Sequence, residues 1–375
     1  MLNLSLELPV NLLPRPAMKF FYALQILVLT LCAVPAVAAE SDAQQAALYY
    51  AGLDAPSAER KVFQTQVKRA WKNYDGQIGK IMSGWAEQQV SYAGGGEVFY
   101  PFSGPDFLTI DRIYPNADRY VLVALQKALK PSYADSMDKP ARADFEKRLG
   151  AAWNQLGRLG YFRTEDLDED QHKQHNRIGA TTILMAFAAL QGYEVLAVNP
   201  IAFNPSSGAW ELNLASNAKW NSVRLALRKN ARQVTLDYVS LDLSNGGLHA
   251  QPEQAAWLQT MAAHPTLLKA ASHLLQEPYF SNLRDMIVKA APVVVQDETG
   301  LKYTDLAKIG KVTLYCNFVK PLAMFKKTTQ PALAEAYAAE KDKKKLPFAF
   351  SYLKNNALRS VQIARRDRQK VTGNG

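Results

Sequence analysis

The sequence has few cysteines, only two in 375 residues. Two cysteines exclude a disulfide framework and a cysteine-rich zinc module, so stability must come from the core. Glycine and proline, at 20 and 19 residues, are too few for a collagen-like or linker-like chain. No repeat of solenoid length and no Pro/Ser-rich linker is visible in the sequence. The apolar fraction of 48% instead predicts a globular protein with a large core.

The first 39 residues predict an export signal. Met18-Lys19 precedes an almost wholly apolar run, residues 20–39, which ends in small side chains. A positive charge, an apolar stretch and a small-residue end are typical of a secretory signal peptide. We expect cleavage after Ala38 or Ala39, a periplasmic or secreted protein, and no transmembrane helix after cleavage; an uncleaved membrane anchor is the alternative. Residues 1–17 precede this signal, and Met18 is a second candidate for the translation start.

The positive charge is concentrated towards the C-terminus. The net charge is +10, and residues 341–370 alone contain ten basic and two acidic residues, a net charge of +8. The leader contributes +1, so residues 40–340 carry only +1. We expect Lys343-Lys344-Lys345 to form a solvated loop and residues 354–375 a basic tail with weak, salt-sensitive attraction to anionic surfaces. Nucleic acid is not an expected partner, because aromatic residues are not interleaved with the tail charges.

Hydrophobic periodicity predicts an α+β protein with a mixed sheet. Apolar residues at helical spacing over 42–53 and 58–90 predict an N-terminal helical region, in which Gly76 is a candidate break. Residues 98–125 have the pattern of a strand, a turn, a short helix and a second strand, which is typical of a parallel crossover unit. Between 193 and 243 the period changes to two, which predicts a central antiparallel meander. We expect one mixed domain over residues 40–353.

Further elements are predicted around this framework. They are helices at about 139–159, 175–191, 252–263, 267–275 and 281–290, and strands at 293–296, 312–318 and 348–352. Cys316, the one cysteine after the leader, lies in an apolar run and is predicted to be a buried strand residue.

The turn between the first predicted strand and helix is the strongest site candidate. Ligands of open α/β sheets bind at the carboxyl ends of the strands, so Tyr100, Ser103, Gly104 and Asp106 are predicted ligand contacts. The turn has one glycine and Pro105 lacks an N–H, so it matches a nucleotide-binding turn poorly and no cofactor is predicted. Two interpretations of Asp106 stay open: it caps the following helix only, or it also contacts a ligand.

The stretch Val98–Leu125, with Tyr-Pro-Phe-Ser-Gly-Pro-Asp-Phe at its centre, resembles a group of exported bacterial proteins with no assigned activity. Two further segments, Leu268–Arg284 and Val293–Tyr303, are similar in character to that group. The resemblance implies an exported bacterial protein, and it brings no catalytic residues to this sequence.

A second candidate cluster lies further along the chain. Lys269 and His273 are predicted on one helical segment and Arg284 a few turns later, which suits an anionic group. Asp297-Glu298 follow a predicted strand and are either a turn or a pair for acid–base work.

The acidic run 165–170 has the spacing that begins a calcium loop. Gln171 and Arg177 stand where such a loop needs glycine and glutamate, so no metal is predicted. His172 and His175 lie three residues apart, without the paired-histidine helix of a metalloprotease. A solvated acidic loop before the next helix is the favoured interpretation.

Two classes of function follow from these residues. The favoured hypothesis is an exported envelope or periplasmic protein that binds a small ligand or envelope component at the Ser103–Asp106 loop. The alternative is a hydrolase or transferase that uses Asp106 with His172, His175, His273 or the Asp297-Glu298 pair. The absence of a complete catalytic constellation in the sequence favours binding, and it leaves open whether the protein is an enzyme.

Overall fold

A computed structural model describes residues 41–90, 95–133, 137–159, 178–321, 325, 328–342, 344–350 and 360–367. Ten strands form a single mixed sheet: β1 Glu97–Pro101, β2 Arg119–Ala124, β3 Glu194–Asn204, β4 Ala209–Leu212, β5 Ser222–Lys229, β6 Arg232–Ser240, β7 Thr266–Leu268, β8 Val293–Gln296, β9 Lys311–Cys316 and β10 Ser360–Arg365. Their order across the sheet is β4-β3-β5-β6-β2-β1-β7-β8-β10-β9.

The described helices are α1 Asp42–Tyr50, α2 Lys61–Tyr74, α3 Lys80–Gln89, α4 Phe107–Ile113, α5 Lys139–Leu159, α6 Ala180–Leu190, α7 Asn245–Ala250, α8 Pro252–Met261, α9 Ser281–Ala290, α10 Tyr303–Ile309 and α11 Pro331–Ala339. A π-helical turn, Asp75–Gly79, joins α2 to α3, and two 3₁₀ turns, Leu274–Gln276 and Pro278–Phe280, precede α9. The protein is therefore an α+β protein with a mixed sheet. The described residues from Ser41 onward form one compact unit.

The centre of the sheet is parallel and its two flanks are antiparallel. Strands β6, β2, β1, β7 and β8 are parallel neighbours in that order. The chain moves from β1 to β2 through α4, and later from β7 to β8 in the opposite direction through α9. The order of connection therefore reverses between β1 and β7. In doubly wound sheets such a switch point opens a crevice at the carboxyl ends of the strands.

Helices cover both faces of the parallel strands. On one face Tyr100 and Leu122 belong to the same core cluster as residues of α4 and α6. On the other face Phe99 and Val121 cluster with residues of α8 and α9. Burial on both faces explains why β2 and β8 are nearly continuous apolar runs rather than alternating ones. Among the described helices, none is long and apolar enough to cross a membrane.

Three sequence predictions of architecture are confirmed, the third in part. The N-terminal helical region is α1 to α3, and the helix widens into the π turn at Gly76, where a break was predicted. The strand–turn–helix–strand unit is β1-α4-β2, with parallel pairing of the two strands. The predicted antiparallel pairing is found in β3 to β6, but these strands do not form a simple meander, because β5 pairs with β3 and leaves β4 at the edge of the sheet.

The predicted helix at 267–275 is wrong. Thr266–Leu268 is β7, which pairs in parallel with β1 on one side and β8 on the other. A left-handed backbone follows, with φ of 55°, 51° and 62° at Ala270, Ser272 and His273. Lys269, Ser272 and His273 therefore lie in a loop after a strand rather than on a helix. β7 occupies a central position in the sheet and pairs with a strand on each side. This pairing stabilises the strand more than the helical spacing of three apolar residues favours a helix.

The C-terminal end also differs from its prediction. Ser360–Arg365, within the predicted tail 354–375, is β10, an inner strand between β8 and β9. Arg365 donates to the carbonyl of Gln89, and Arg366 donates to the carbonyls of Val288 and Ala291. These two arginines are therefore fixed on the body of the protein. The alternating pattern of β10 is short and is flanked by charged residues, so periodicity did not predict a strand there.

Two smaller predictions are corrected in the same region. Of the predicted strand at 348–352, residues 348–350 have no regular structure, and 351–352 lie outside the described residues. Cys316 does end a strand, as predicted, but it is only half-buried.

Val361→Ala tests the inner position of β10. The Val361 side chain is completely buried, so its truncation is expected to lower the free energy of unfolding by about 2 kcal/mol. Val319→Ala is the matched control, because Val319 is 62% exposed and its truncation should cost less than about 0.5 kcal/mol. Denaturant titration of both variants makes the comparison. An equally small loss in both would contradict a buried strand at this place.

Candidate functional site

The loops that follow β1, β7 and β8 meet at one edge of the sheet. These strands are parallel neighbours, so their carboxyl ends lie side by side. The loops span residues 102–106, 269–273 and 297–300. We call the space between the first two loops the β1–β7 crevice. It coincides with the switch point, where open α/β sheets bind their ligands.

Asp106 is the polar centre of the β1–β7 crevice. Its Oδ1 accepts hydrogen bonds from the backbone N–H of Thr109 at 3.2 Å and from the Thr109 hydroxyl at 2.9 Å. Its Oδ2 accepts from the Tyr100 hydroxyl at 3.1 Å and from Nζ of Lys269 at 2.7 Å. The predicted N-cap role is therefore confirmed, and it uses only one of the two carboxylate oxygens.

Lys269 is a buried cation that reaches Asp106 from the end of β7. Its side chain is 3% exposed, whereas that of Asp106 is 21% exposed. Nζ of Lys269 also donates to the Thr109 hydroxyl at 2.9 Å, and it lies 5.9 Å from the ring centroid of Phe350. A buried ammonium needs a charged partner and satisfied hydrogen bonds, and Asp106 and Thr109 supply both. The carboxylate is consequently the more exposed part of this ion pair.

Tyr74, at the end of α2, adds a buried hydroxyl near this ion pair. The hydroxyl has no hydrogen-bond partner in the described part of the chain. Burial raises the pKa of Tyr74, and the negative charge of Asp106 raises that pKa further. The π turn begins at the next residue, where Asp75 accepts a 2.8 Å hydrogen bond from Arg112 of α4. π-helical turns are frequent at functional sites, and this one fixes α2 beside α4.

Asp297 joins the loop after β8 to the loop after β7. Its Oδ2 accepts from the N–H of Ala270 at 2.8 Å. Its Oδ1 accepts from the N–H of Thr299 at 2.8 Å and from the Thr299 hydroxyl at 2.5 Å. The N–H of His273 in turn donates to the Thr299 carbonyl at 3.0 Å. These bonds hold the left-handed residues of the β7 loop, whose conformation carries a strain typical of functional loops.

Glu298 is buried beside Asp297, and the pKa of its carboxyl is raised. Burial, and after it the negative charge of Asp297, raise the pKa of Glu298 to about 8. Its Oε2 accepts a 2.8 Å hydrogen bond from the hydroxyl of Ser360 in β10. The predicted Asp297-Glu298 pair therefore consists of a loop-holding carboxylate and a buried carboxyl with a raised pKa.

His273 is buried, and its imidazole packs against an aromatic ring. Neither ring nitrogen has a hydrogen-bond partner among the described residues. The ring packs edge-on against Phe325, with 4.7 Å between the centroids. Burial lowers the pKa of His273, so the imidazole is neutral at pH 7.

Three predicted site residues have roles other than hydrogen bonding to the Asp106–Lys269 ion pair. Ser103 donates to the carbonyl of Val123 in β2 at 3.4 Å. Gly104 supplies a left-handed turn, with φ of 51° and open space where a Cβ would stand. Arg284 donates to the carbonyl of Leu275, within the first 3₁₀ turn, at 3.1 Å and to that of Glu277, between the two turns, at 3.3 Å.

The structure thus brings together some of the predicted residues and separates others. Tyr100, Asp106 and Lys269 share one hydrogen-bond network, and His273 lies in the same loop as Lys269. His172 and His175 lie outside the described residues. Sequence analysis missed Thr109 and Tyr74. Thr109 could have been predicted, because it stands three residues after the N-cap, at the position whose N–H donates to the cap. Tyr74 could not, because only the packing of α2 brings it near Asp106.

The crevice does not suit the pyrophosphate of a dinucleotide, although the order β6-β2-β1-β7-β8 matches the doubly wound dinucleotide-binding order. Phosphate binding needs free N–H groups at a helix start. Here Pro105 lacks an N–H and the Asp106 carboxylate occupies the start of α4. Across the described ranges, no group of three histidine, cysteine or acidic side chains could hold a metal ion.

Comparison with known proteins identified no relative of the chain. No protein-family model, no curated protein and no solved structure matches the chain.

Glu298→Gln tests the raised pKa of the buried carboxyl. The folded pKa of about 8 lies above the ordinary value of 4.5, so the folded chain keeps a proton that the unfolded chain releases between these values. This contribution to stability is complete below pH 4.5 and is lost as pH rises towards 8, with a slope of at most about 1.4 kcal/mol per pH unit. We expect the free energy of unfolding, measured from pH 5 to 9, to fall less steeply in Glu298→Gln than in the wild type.

The control for this experiment is Glu253→Gln, at an exposed position in the first turn of α8. It should reproduce the wild-type slope. Indistinguishable slopes for wild type and Glu298→Gln would contradict a raised pKa at Glu298.

Proposed function

We propose that the chain is an exported bacterial protein that binds a small polar ligand, or a polar group of an envelope component, in the β1–β7 crevice. The signal-like pattern of residues 18–39 supports export. One observation carries the binding proposal: a partly exposed carboxylate, Asp106, is paired with the buried Lys269 at the switch point of the sheet.

The chemistry of the crevice favours a ligand that donates hydrogen bonds. Carboxylate oxygens are acceptors, and Lys269 offsets the charge of Asp106, so a hydroxyl or amino group fits better than an anion. The Tyr74 hydroxyl is a further buried hydrogen-bonding group nearby. Leu125, the residue after β2 and 69% exposed, offers an apolar surface at the same edge of the sheet. The ligand class is therefore a small molecule with hydroxyl or amino groups and an apolar part.

The alternative, a hydrolase or transferase, has one observation in its favour. The pKa of Glu298 is raised to about 8, which suits a general acid. Against this, both oxygens of Asp297 accept hydrogen bonds from loop groups, and Glu298 is buried. Among the described residues, no histidine forms a hydrogen bond with Asp106, whose partners are Tyr100, Thr109 and Lys269. Binding is therefore the better supported function.

The test is native mass spectrometry of the protein purified from its exported fraction, followed by the same measurement on Asp106→Asn. We expect a small molecule to remain bound to the wild type and its occupancy to fall at least about tenfold in Asp106→Asn, since one charge-assisted hydrogen bond is worth about 1.5–3 kcal/mol. Asparagine keeps an oxygen for the N-cap but leaves Lys269 without its charged partner, so the variant is less stable than the wild type, and circular dichroism under the assay conditions establishes that it is still folded.

Asp138→Asn is the matched control, because Asp138 also accepts from a backbone N–H three residues on, that of Ala141 at 2.8 Å. It should retain the wild-type ligand occupancy. A wild type without any bound small molecule, or full occupancy in Asp106→Asn, would overturn the proposed function.

A further inference from the structure

A second concave site lies away from the β1–β7 crevice, where α3 faces β9. It is a groove of about 580 Å³, within the range of small-molecule sites. We call it the α3–β9 groove. Its principal lining residues are Trp85, Gln88, Gln89, Tyr315, Lys344 and Lys345.

Aromatic residues form a firm floor for the groove. The Trp85 ring packs edge-to-face on Tyr315, with 5.1 Å between the centroids, and on Phe348, with 5.4 Å. The Tyr315 hydroxyl donates to Oε1 of Gln89 at 2.8 Å. Arg365 of β10 donates to the backbone carbonyl of the same glutamine. The floor is therefore joined to both α3 and the sheet, and it holds its shape without a ligand.

Two lysines line the groove beside this floor. Nζ of Lys344 lies 5.6 Å from the ring centroid of Tyr315. The Lys344 carbonyl accepts a 2.7 Å hydrogen bond from the N–H of Cys316, and Lys344 bridges to Tyr315 as a parallel strand residue. Lys344 and Lys345 are exposed, and no carboxylate of the described residues lies within 4 Å of either Nζ. The sequence predicted a solvated loop here, whereas the backbone of Lys344 is fixed at the edge of the sheet.

We propose that the α3–β9 groove binds a small planar anion, an aromatic ring that carries a carboxylate. Its ring would pack against the Ile81 side chain, which is 37% exposed, and the exposed edge of Trp85. Its carboxylate would lie between Lys344 and Lys345, with the side-chain amide of Gln88 as a further hydrogen-bonding group. The two uncompensated charges select an anion, and the apolar part of the lining above the buried aromatic floor selects a ring. This ligand differs from the neutral or amino-bearing ligand proposed for the crevice, so the proposal does not rest on the proposed function.

A small molecule fits these observations better than an anionic membrane or polymer. The lysines line a concavity with an aromatic base, whereas attraction to a flat anionic surface needs only charges on an exposed face. Lys341 is exposed as well, but the described basic residues after Lys345 are held against the body. Arg365 and Arg366 donate to backbone carbonyls of the body.

The test uses indole-3-acetate as the probe and follows the indole N–H resonance of Trp85 by NMR, assigned with Trp85→Phe. We expect saturable shifts with indole-3-acetate, and at least about tenfold weaker binding of the uncharged isostere indole-3-acetamide and of acetate, which lacks the ring. Lys344→Gln/Lys345→Gln should weaken binding of indole-3-acetate by about tenfold or more, since it removes both attracting charges.

Lys302→Gln/Lys320→Gln is the matched control, because it removes the same charge from two exposed lysines that do not line the groove. It should leave the affinity unchanged within about twofold, as expected for screened distant charges. Three results would overturn the proposal: no saturable shift, equal binding of the acid and the amide, or equal losses in both lysine pairs. Vesicles of phosphatidylglycerol that bind with Lys344 and Lys345 dependence, while indole-3-acetate does not bind, would assign the lysines to a membrane surface instead.

Discussion

The ion pair between Asp106 and Lys269 is the interaction on which the candidate site at the edge of the sheet depends. It joins residues 163 positions apart and connects the start of α4 to the end of β7, on opposite sides of the switch point. Leaving the buried charge of Lys269 without its partner costs about 3–5 kcal/mol, so the position of the β7 loop is constrained by that of Asp106. Tyr100 and Thr109 then complete the hydrogen bonds of the pair.

A second carboxylate extends this constraint to the next strand. Asp297 holds the N–H of Ala270, one residue after Lys269, and so fixes the loop in its left-handed conformation. The strained backbone persists because Asp297 and Thr299 hold it from the β8 side. The edge thus combines a charge-balanced hydrogen-bond network with one partly exposed carboxylate, that of Asp106, which is the arrangement on which the proposed function rests.

Sequence reasoning found those parts of the fold whose pattern is local. The β1-α4-β2 unit and the antiparallel strands β3 to β6 were predictable because each strand follows a continuous apolar or alternating pattern. The strands β7 and β10 were not predictable from local pattern. β7 has only three residues, and the pattern of β10 is flanked by arginines, so each becomes recognisable as a strand only through its pairing with neighbouring strands. In the site, the capping role of Asp106 was predictable from its position before a helix. Its pairing with Lys269 and the approach of Tyr74 arise only from the tertiary fold.

A double-mutant cycle on Asp106 and Lys269 tests the central role of the ion pair most directly. Asp106→Asn, Lys269→Met and the combined variant are compared with the wild type by denaturant unfolding at one pH and ionic strength. We expect both single variants to be destabilised and the combined variant to recover part of the loss, with a coupling free energy of about 1–3 kcal/mol. Additive effects within about 0.5 kcal/mol would contradict the central role of the pair.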